Sequence, residues 1–211
     1  MKHLLLLLLP LLSICFTCIA EDGAKPVYDT DNQEVTSGES YYVLPADHGT
    51  GGGGGLRKFP TSRRCNFLVS QAHNETNLGT PVRFHPPNDD SLGGKILLST
   101  NVTVSFHILT TCVQTMYWHV VGFSQFSPSS QPHDRVAVGK NEGASYPMPL
   151  PSEFVFRVEK YDGATKKGYK LVSCAGKGPC KDLGLYASKG TTWLAISDLP
   201  FAVVFKKYIY A

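Results

Sequence analysis

Little in this 211-residue sequence points to catalysis, and less to a membrane or a nucleic acid. After residue 20 no apolar run approaches the roughly 20 residues of a spanning helix. Charge is sparse and nearly balanced: 20 Lys and Arg against 17 Asp and Glu leave a formal +3, too weak a surplus to call for nucleic acid or a membrane surface as partner. The basic doublets Arg63-Arg64 and Lys206-Lys207 read as solvated surface. Among catalytic patterns, the Gly-x-Ser-x-Gly elbow and the His-Glu-x-x-His helix are both missing, and the seven histidines are scattered singly. Asp89-Asp90 stand side by side in a Pro/Asn/Ser stretch, the setting of a solvated turn rather than of paired catalytic acids. No catalytic residue is expected, and the chain does not read as an enzyme. The absence of Cys-x2-Cys and of a nearby His pair argues against zinc, so no metal and no cofactor are expected. The glycine run Gly51–Gly55 is followed by Leu56-Arg57-Lys58 instead of the Lys-Ser/Thr that a phosphate-cradling loop needs; it reads as a flexible loop tip.

What is present begins with an export signal. Lys2 and His3 form a short basic start, Leu4 to Leu12 an apolar stretch broken by Pro10, and Cys18-Ile19-Ala20 a small-residue cleavage site. Residues 1–20 are expected to be a secretory signal peptide and 21–211 a single domain. The mature protein would be secreted, or vacuolar after entering the secretory pathway. Losing Lys2 lowers the formal charge from +3 to +2. The roughly 190 remaining residues suffice for one domain with a proper core.

Six cysteines become four when Cys15 and Cys18 leave with the signal. Cys65, Cys112, Cys174 and Cys180 are an even set in an oxidising compartment, which predicts two disulfides; by count alone three pairings are possible. Two sequons, Asn74-Glu-Thr76 and Asn101-Val-Thr103, make Asn74 and Asn101 candidate N-glycosylation sites.

No amphipathic helix is visible. Turn formers recur every eight to fifteen residues, and between them lie short runs rich in Val, Ile, Phe, Tyr and Thr. Twelve such runs predict strands at 41–44, 65–71, 81–85, 95–99, 102–109, 116–121, 135–138, 154–160, 169–174, 183–187, 192–196 and 201–206. Several alternate: Val102, Val104, Phe106 and Ile108 fall on one face, with Thr103, Ser105 and His107 on the other. Twelve strands in one all-β domain suit a barrel or a sandwich, and periodicity does not choose between them. The nearest internal echo is between residues 154–161 and 203–208.

Residues 27–44 carry the clearest signature. Val27, Asp29, Asp31, Val35, Tyr42 and Leu44 resemble the N-terminal pattern of the plant Kunitz trypsin inhibitor family. Asn32 stands where that family usually has Gly or Asp, and Asn tolerates a left-handed turn nearly as well. The resemblance continues through Gly51–Gly55 with Leu56, Cys65 to Gln71, Gly79 to Val82, Ser99-Thr100, Tyr169 to Cys174, and Leu194 to Ser197 through Lys207. It implies a β-trefoil of three four-stranded repeats with disulfides Cys65–Cys112 and Cys174–Cys180. In a loop-entropy model those would contribute about 4 and about 2 kcal/mol respectively. It also implies a protein that obstructs a target protease, most simply a serine protease, acting as a monomer.

Such an inhibitor presents a stiff, substrate-like loop whose ordering cost is already met, and one side chain (P1) fills the protease pocket. The segment that matches is His85 to Lys95, with Pro86, Pro87, Asn88, Asp89, Asp90, Ser91 and Leu92 as the inhibitory loop. The two prolines fix their own φ and keep their predecessors extended. Counted from Cys65 the resemblance puts P1 near Asp89; counted back from Phe106 it puts P1 near Leu92. Neither is the Arg or Lys of a trypsin inhibitor. An Asp there would meet the carboxylate at the base of trypsin's pocket, a prohibitive pairing. Leu92 suits the apolar pocket of a chymotrypsin-, elastase- or subtilisin-type enzyme. Lys95 is the one basic candidate, behind Gly93-Gly94. Ser37 stands where the family often has a loop-bracing Asn, and a hydroxyl has shorter reach and a single donor. The expected function is therefore inhibition of a serine protease other than trypsin, in plant defence. The alternative is a non-inhibitory binding or storage protein of the same fold, similar to miraculin-like or tetrapyrrole-binding relatives.

Overall fold

The computed structural model describes residues 24–61, 65–87, 93–109, 111, 116–121, 134–139, 152–163, 167–176 and 178–209. Twelve strands are found there: β1 Tyr41–Pro45, β2 Leu56–Pro60, β3 Phe67–Gln71, β4 Val82–His85, β5 Asn101–Phe106, β6 Trp118–Val121, β7 Arg135–Val138, β8 Phe156–Asp162, β9 Lys167–Ser173, β10 Lys181–Ser188, β11 Thr191–Ile196 and β12 Val203–Lys207. One 3-10 turn at Ser152–Phe154 leads into β8.

Pairing divides them into two sets. Six strands close a ring, in the order β12, β1, β4, β5, β8, β9 and back to β12. The other six are three hairpins, β2–β3, β6–β7 and β10–β11. The second strands of these hairpins, β3, β7 and β11, pair with one another. Each unit of four strands therefore gives its first and fourth to a barrel and its middle two to a cap. This is the β-trefoil expected above. Closing the sheet on itself leaves no barrel edge to attract another chain.

The alternation seen in the sequence explains which side chains fill the barrel. The fourth strands supply Phe84, Phe156 and Phe205, one per unit and all fully buried. Phe84 and Phe205 meet edge to face at 5.2 Å. Val102, Val104 and Phe106 of β5 face the same core, and fully buried Trp118 packs against Phe106 at 5.2 Å. The sequence echo between 154–161 and 203–208 falls on β8 and β12, the fourth strands of the second and third units.

Three details differ from expectation. Residues 95–99 are not a strand: they make only isolated bridges, Thr36 with Lys95 and Pro26 with Leu97. Their partner is the N-terminal segment, which folds back on itself through a Tyr28–Glu34 bridge and offers no straight edge. In its place β2 forms, with Leu56 opposite Gln71 and Pro60 opposite Phe67. Its mixed Leu-Arg-Lys-Phe-Pro composition hid it behind the glycine run. That run is also not a plain loop tip, since Gly54 and Gly55 are buried. Gly54 N–H donates to Ala72 C=O at 2.8 Å and Gly55 N–H to Asn77 C=O at 2.9 Å.

The signature turn is held by Asp29. Its Oδ1 accepts from the N–H groups of Asp31 at 2.9 Å and Gln33 at 2.8 Å, and Asn32 takes φ 57° as the turn requires. Cys174 and Cys180 are joined by a disulfide across six residues. Cys65 is also disulfide-bonded; Cys112, its expected partner, lies outside the described residues.

Candidate functional site

The β4–β5 connection emerges from the barrel end away from the hairpins, because the chain enters the cap after β1, β5 and β9 and returns by β4, β8 and β12. Asn88, Asp89, Asp90, Ser91 and Leu92 lie outside the described residues. The two feet of this connection are described, and they are held in different ways.

The first foot is His85-Pro86-Pro87. His85 closes β4, paired with Thr103 of β5. Its Nε2 shares a hydrogen bond of 2.8 Å with Ser105 Oγ, and its ring meets that of Tyr117 edge-on at 5.3 Å. Thr103 Oγ1 donates to the His85 carbonyl at 3.4 Å. Burial, and secondarily the nearby Arg83 guanidinium, push the His85 pKa below its ordinary value. The imidazole is thus kept neutral at pH 7.

The second foot, Gly93-Gly94-Lys95, is laced to the N-terminal segment. Gly93 N–H donates to Ser37 Oγ at 3.3 Å, and Ser37 N–H donates to Gly94 C=O at 2.7 Å. Lys95 Nζ lies 2.9 Å from a Glu34 carboxylate oxygen. One residue further, Ile96 N–H donates to Val35 C=O and Val27 N–H to Ile96 C=O. Ser37 itself is buried, 7% exposed. Lys95, the one basic P1 candidate, therefore belongs to the foot: its backbone bridges Thr36 and its ammonium is paired with Glu34. Neither Glu34 nor Ser105 is marked as a site residue by its local sequence. The only signal for Ser105 was its place on the outward face of the Val102 alternation, and Glu34 gave none.

Between the feet, Pro86, Pro87, Gly94, Lys95, Leu97, Asn101 and Arg157 line an open cleft of about 690 Å³. Arg157 Nε donates to Asn101 Oδ1 at 2.8 Å on its rim. The other sequon residue, Asn74, is exposed in a tight turn in which Thr76 N–H and Oγ1 both donate to its Oδ1 at 3.0 Å.

A Ser–His contact occurs elsewhere, but not as a nucleophile. Ser40 Oγ and His107 Nδ1 are 2.7 Å apart, and Arg83 Nε also donates to that oxygen at 3.1 Å. Ser40 is fully buried, so no substrate reaches it. Among the described residues no group of three His, Cys, Asp or Glu side chains is arranged to hold a metal ion, and no helix is long and apolar enough to cross a membrane.

Residues 27–207 match the Kunitz family model described as trypsin and protease inhibitor. The chain is 42% identical to the α-amylase/subtilisin inhibitor of Oryza sativa subsp. japonica, over 96% of this chain and 93% of that protein. It is 30% identical to miraculin of Synsepalum dulcificum, over 90% and 87%. The solved structure of the rice bifunctional α-amylase/subtilisin inhibitor superposes with a TM-score of 0.68 at 40% identity, covering 88% of this chain and 100% of that one.

Proposed function

The chain belongs to the Kunitz family of trypsin and protease inhibitors, which is not a family of enzymes, and on that premise we propose that it inhibits a subtilisin-type serine protease through the β4–β5 loop. The carrying observation is the pair of anchored feet: a loop that begins in two prolines and ends on Ser37 and Glu34 has much of its ordering cost met before it meets a protease. Leu92 is the P1 side chain in this reading, because an apolar pocket accepts it and the aspartates beside it suit no basic-specific enzyme. The 42% identity to a protein named for subtilisin supports the same enzyme class. Residues 1–20 direct the chain into the secretory pathway, to the extracellular space or the vacuole, and Asn74 and Asn101 are available there for N-glycosylation. The inhibitor acts as a monomer, with no cofactor.

The test titrates disulfide-intact 21–211 and its Leu92→Ala variant against subtilisin, chymotrypsin, elastase, trypsin and papain. Stoichiometric inhibition of subtilisin that Leu92→Ala weakens by two orders of magnitude is the expected result, with trypsin little affected. A folded protein that inhibits none of the five sinks the proposal. It would favour the second reading, a non-inhibitory binding or storage role, to which the similarity to miraculin lends support. A cereal α-amylase belongs in the same panel, since the rice protein's name pairs that enzyme with subtilisin.

A further inference from the structure

The cap hairpins have two faces. Their inward face closes the barrel core with Leu56, Val69, Val136 and Leu194. On the outward face Leu68, Val121 and Ala137 form a separate small apolar cluster, with Trp193 packed against it. Register places Arg57 opposite Ser70, Ser70 opposite Trp193, and Ala195 opposite Arg135. By strand alternation Arg57, Phe59, Trp193 and Arg135 therefore share that outward face. The Phe59 and Trp193 rings meet edge to face at 5.1 Å. The Arg57 guanidinium lies over Phe59 at 5.4 Å and the Arg135 guanidinium over Trp193 at 5.0 Å. The result is a row across three strands: cation, ring, ring, cation.

These two cations differ from others in the molecule. Lys95, Lys160, Lys170 and Lys207 each have a carboxylate oxygen within 3.3 Å. Among the described residues neither Arg57 nor Arg135 has one, and Arg57 Nε is buried without a hydrogen-bond partner. Burial disfavours the charged form of Arg135, only partly countered by Tyr186.

We propose that this outward face of the cap is a docking surface for an acidic surface of another protein. Arginine and tryptophan around a small apolar centre is the composition of interface hot spots. A guanidinium stacked on a ring and lacking a carboxylate is set to receive one in two-pronged fashion. Each ring already has one face covered by its own cation, which favours carboxylates on the guanidinium groups over sugars or bases stacking on the rings. Because the β4–β5 loop leaves the other end of the barrel, a partner on the cap leaves that loop free. The assignment does not depend on which protease, if any, the loop engages.

The probe is poly-L-glutamate, with polygalacturonate as the non-protein polyanion. Arg57→Gln/Arg135→Gln is compared with Lys181→Gln/Lys206→Gln, a pair that removes the same charge from exposed positions off the row. Salt-sensitive binding of poly-L-glutamate, at least tenfold weaker in the arginine pair and within twofold in the lysine pair, is expected. Equal loss in both pairs, no binding by the wild type, or binding of polygalacturonate alone overturns the proposal. A readout that needs no variant guards against misfolding. The chain has two tryptophans, and Trp118 is fully buried, so acrylamide quenching reports on Trp193. Poly-L-glutamate should protect the wild-type fluorescence from acrylamide, and unprotected quenching at saturating probe also overturns the assignment.

Discussion

Gly54-Gly55 and Gly93 both stand in glycine runs and have opposite physical reasons to be glycine. In the first, glycine is needed for closeness. A Cβ on Gly55 would lie 2.0 Å from the Leu78 carbonyl oxygen, and one on Gly54 would lie 2.3 Å from that of Asn74. The run is the seam where β2 meets the 72–79 connection, and its backbone hydrogen bonds cross that seam. In the second, there is space to spare: Gly93 has φ +111°, and among the described residues nothing lies within 4 Å of where a Cβ would stand. There glycine serves the sign of φ alone, at the foot of a loop. A glycine run is therefore a statement about either packing or backbone handedness, and only the neighbours say which.

The sharpest way to break the contrast is Gly55→Ala. Its methyl would collide with backbone that cannot swing aside, so we expect a loss of about 3 kcal/mol or more, roughly 10 °C in Tm for a domain of this size. A melt within two degrees of wild type would show that the seam relaxes. Gly93→Ala should cost about 1–2 kcal/mol from the left-handed backbone alone. Part of that appears as about tenfold weaker subtilisin inhibition, with only a modest fall in Tm. Smaller still is Ser37→Ala, which removes the acceptor for Gly93 N–H and leaves the Ser37 N–H to Gly94 bond in place. At about 0.5–1.5 kcal/mol for one hydrogen bond, inhibition should weaken three- to tenfold while the melting temperature hardly moves. An equal fall in both quantities would mean that Ser37 supports the barrel and not the loop.

The least effect per residue comes from acid, and it separates the two ends again. Burial is the first cause that lowers the pKa of His85 at the loop foot and of His119 in the cap. A histidine whose folded pKa lies below its unfolded value of about 6.5 takes up fewer protons folded than unfolded. Its contribution to stability is complete above pH 6.5 and declines as pH falls below that value. Thermal unfolding from pH 7 to pH 5 should show Tm falling with pH. His119→Phe, which keeps a ring against Phe154 (5.1 Å from the present imidazole), should flatten part of that decline and leave loop inhibition unchanged. A Tm that rises on acidification would reverse the sign of this account.

Much of the fold was legible because strand alternation and turn chemistry are local. The Val102-Val104-Phe106 face and the Asp29 turn with Asn32 left-handed agree with the local reading, and the Cys174–Cys180 bond with what the family resemblance implies. Residues 95–99 have the composition of a strand but do not form one, because strand character depends on a partner, and theirs bends. β2 is hidden in the sequence because its inward Leu56 is followed by charges, and the Phe67 ring that Lys58 covers comes only from pairing with β3. Of the loop mounting, Ser37 and the two prolines could be named in advance. Glu34 and Ser105 could not, since each meets its partner only across a fold-back or a neighbouring strand.

The sequence by itself determined an all-β chain, the family signature and the absence of an acidic or basic excess, since each rests on residue type and short spacing. Only the tertiary structure decided which glycines touch backbone, that Lys95 pairs with Glu34 at the loop foot, and that Arg57 and Arg135 stand at opposite ends of an aromatic pair without carboxylates. Those facts depend on contacts between segments far apart in the chain, as for Phe59 and Trp193 on one face of the cap, which the pairing of β3 with both β2 and β11 brings together.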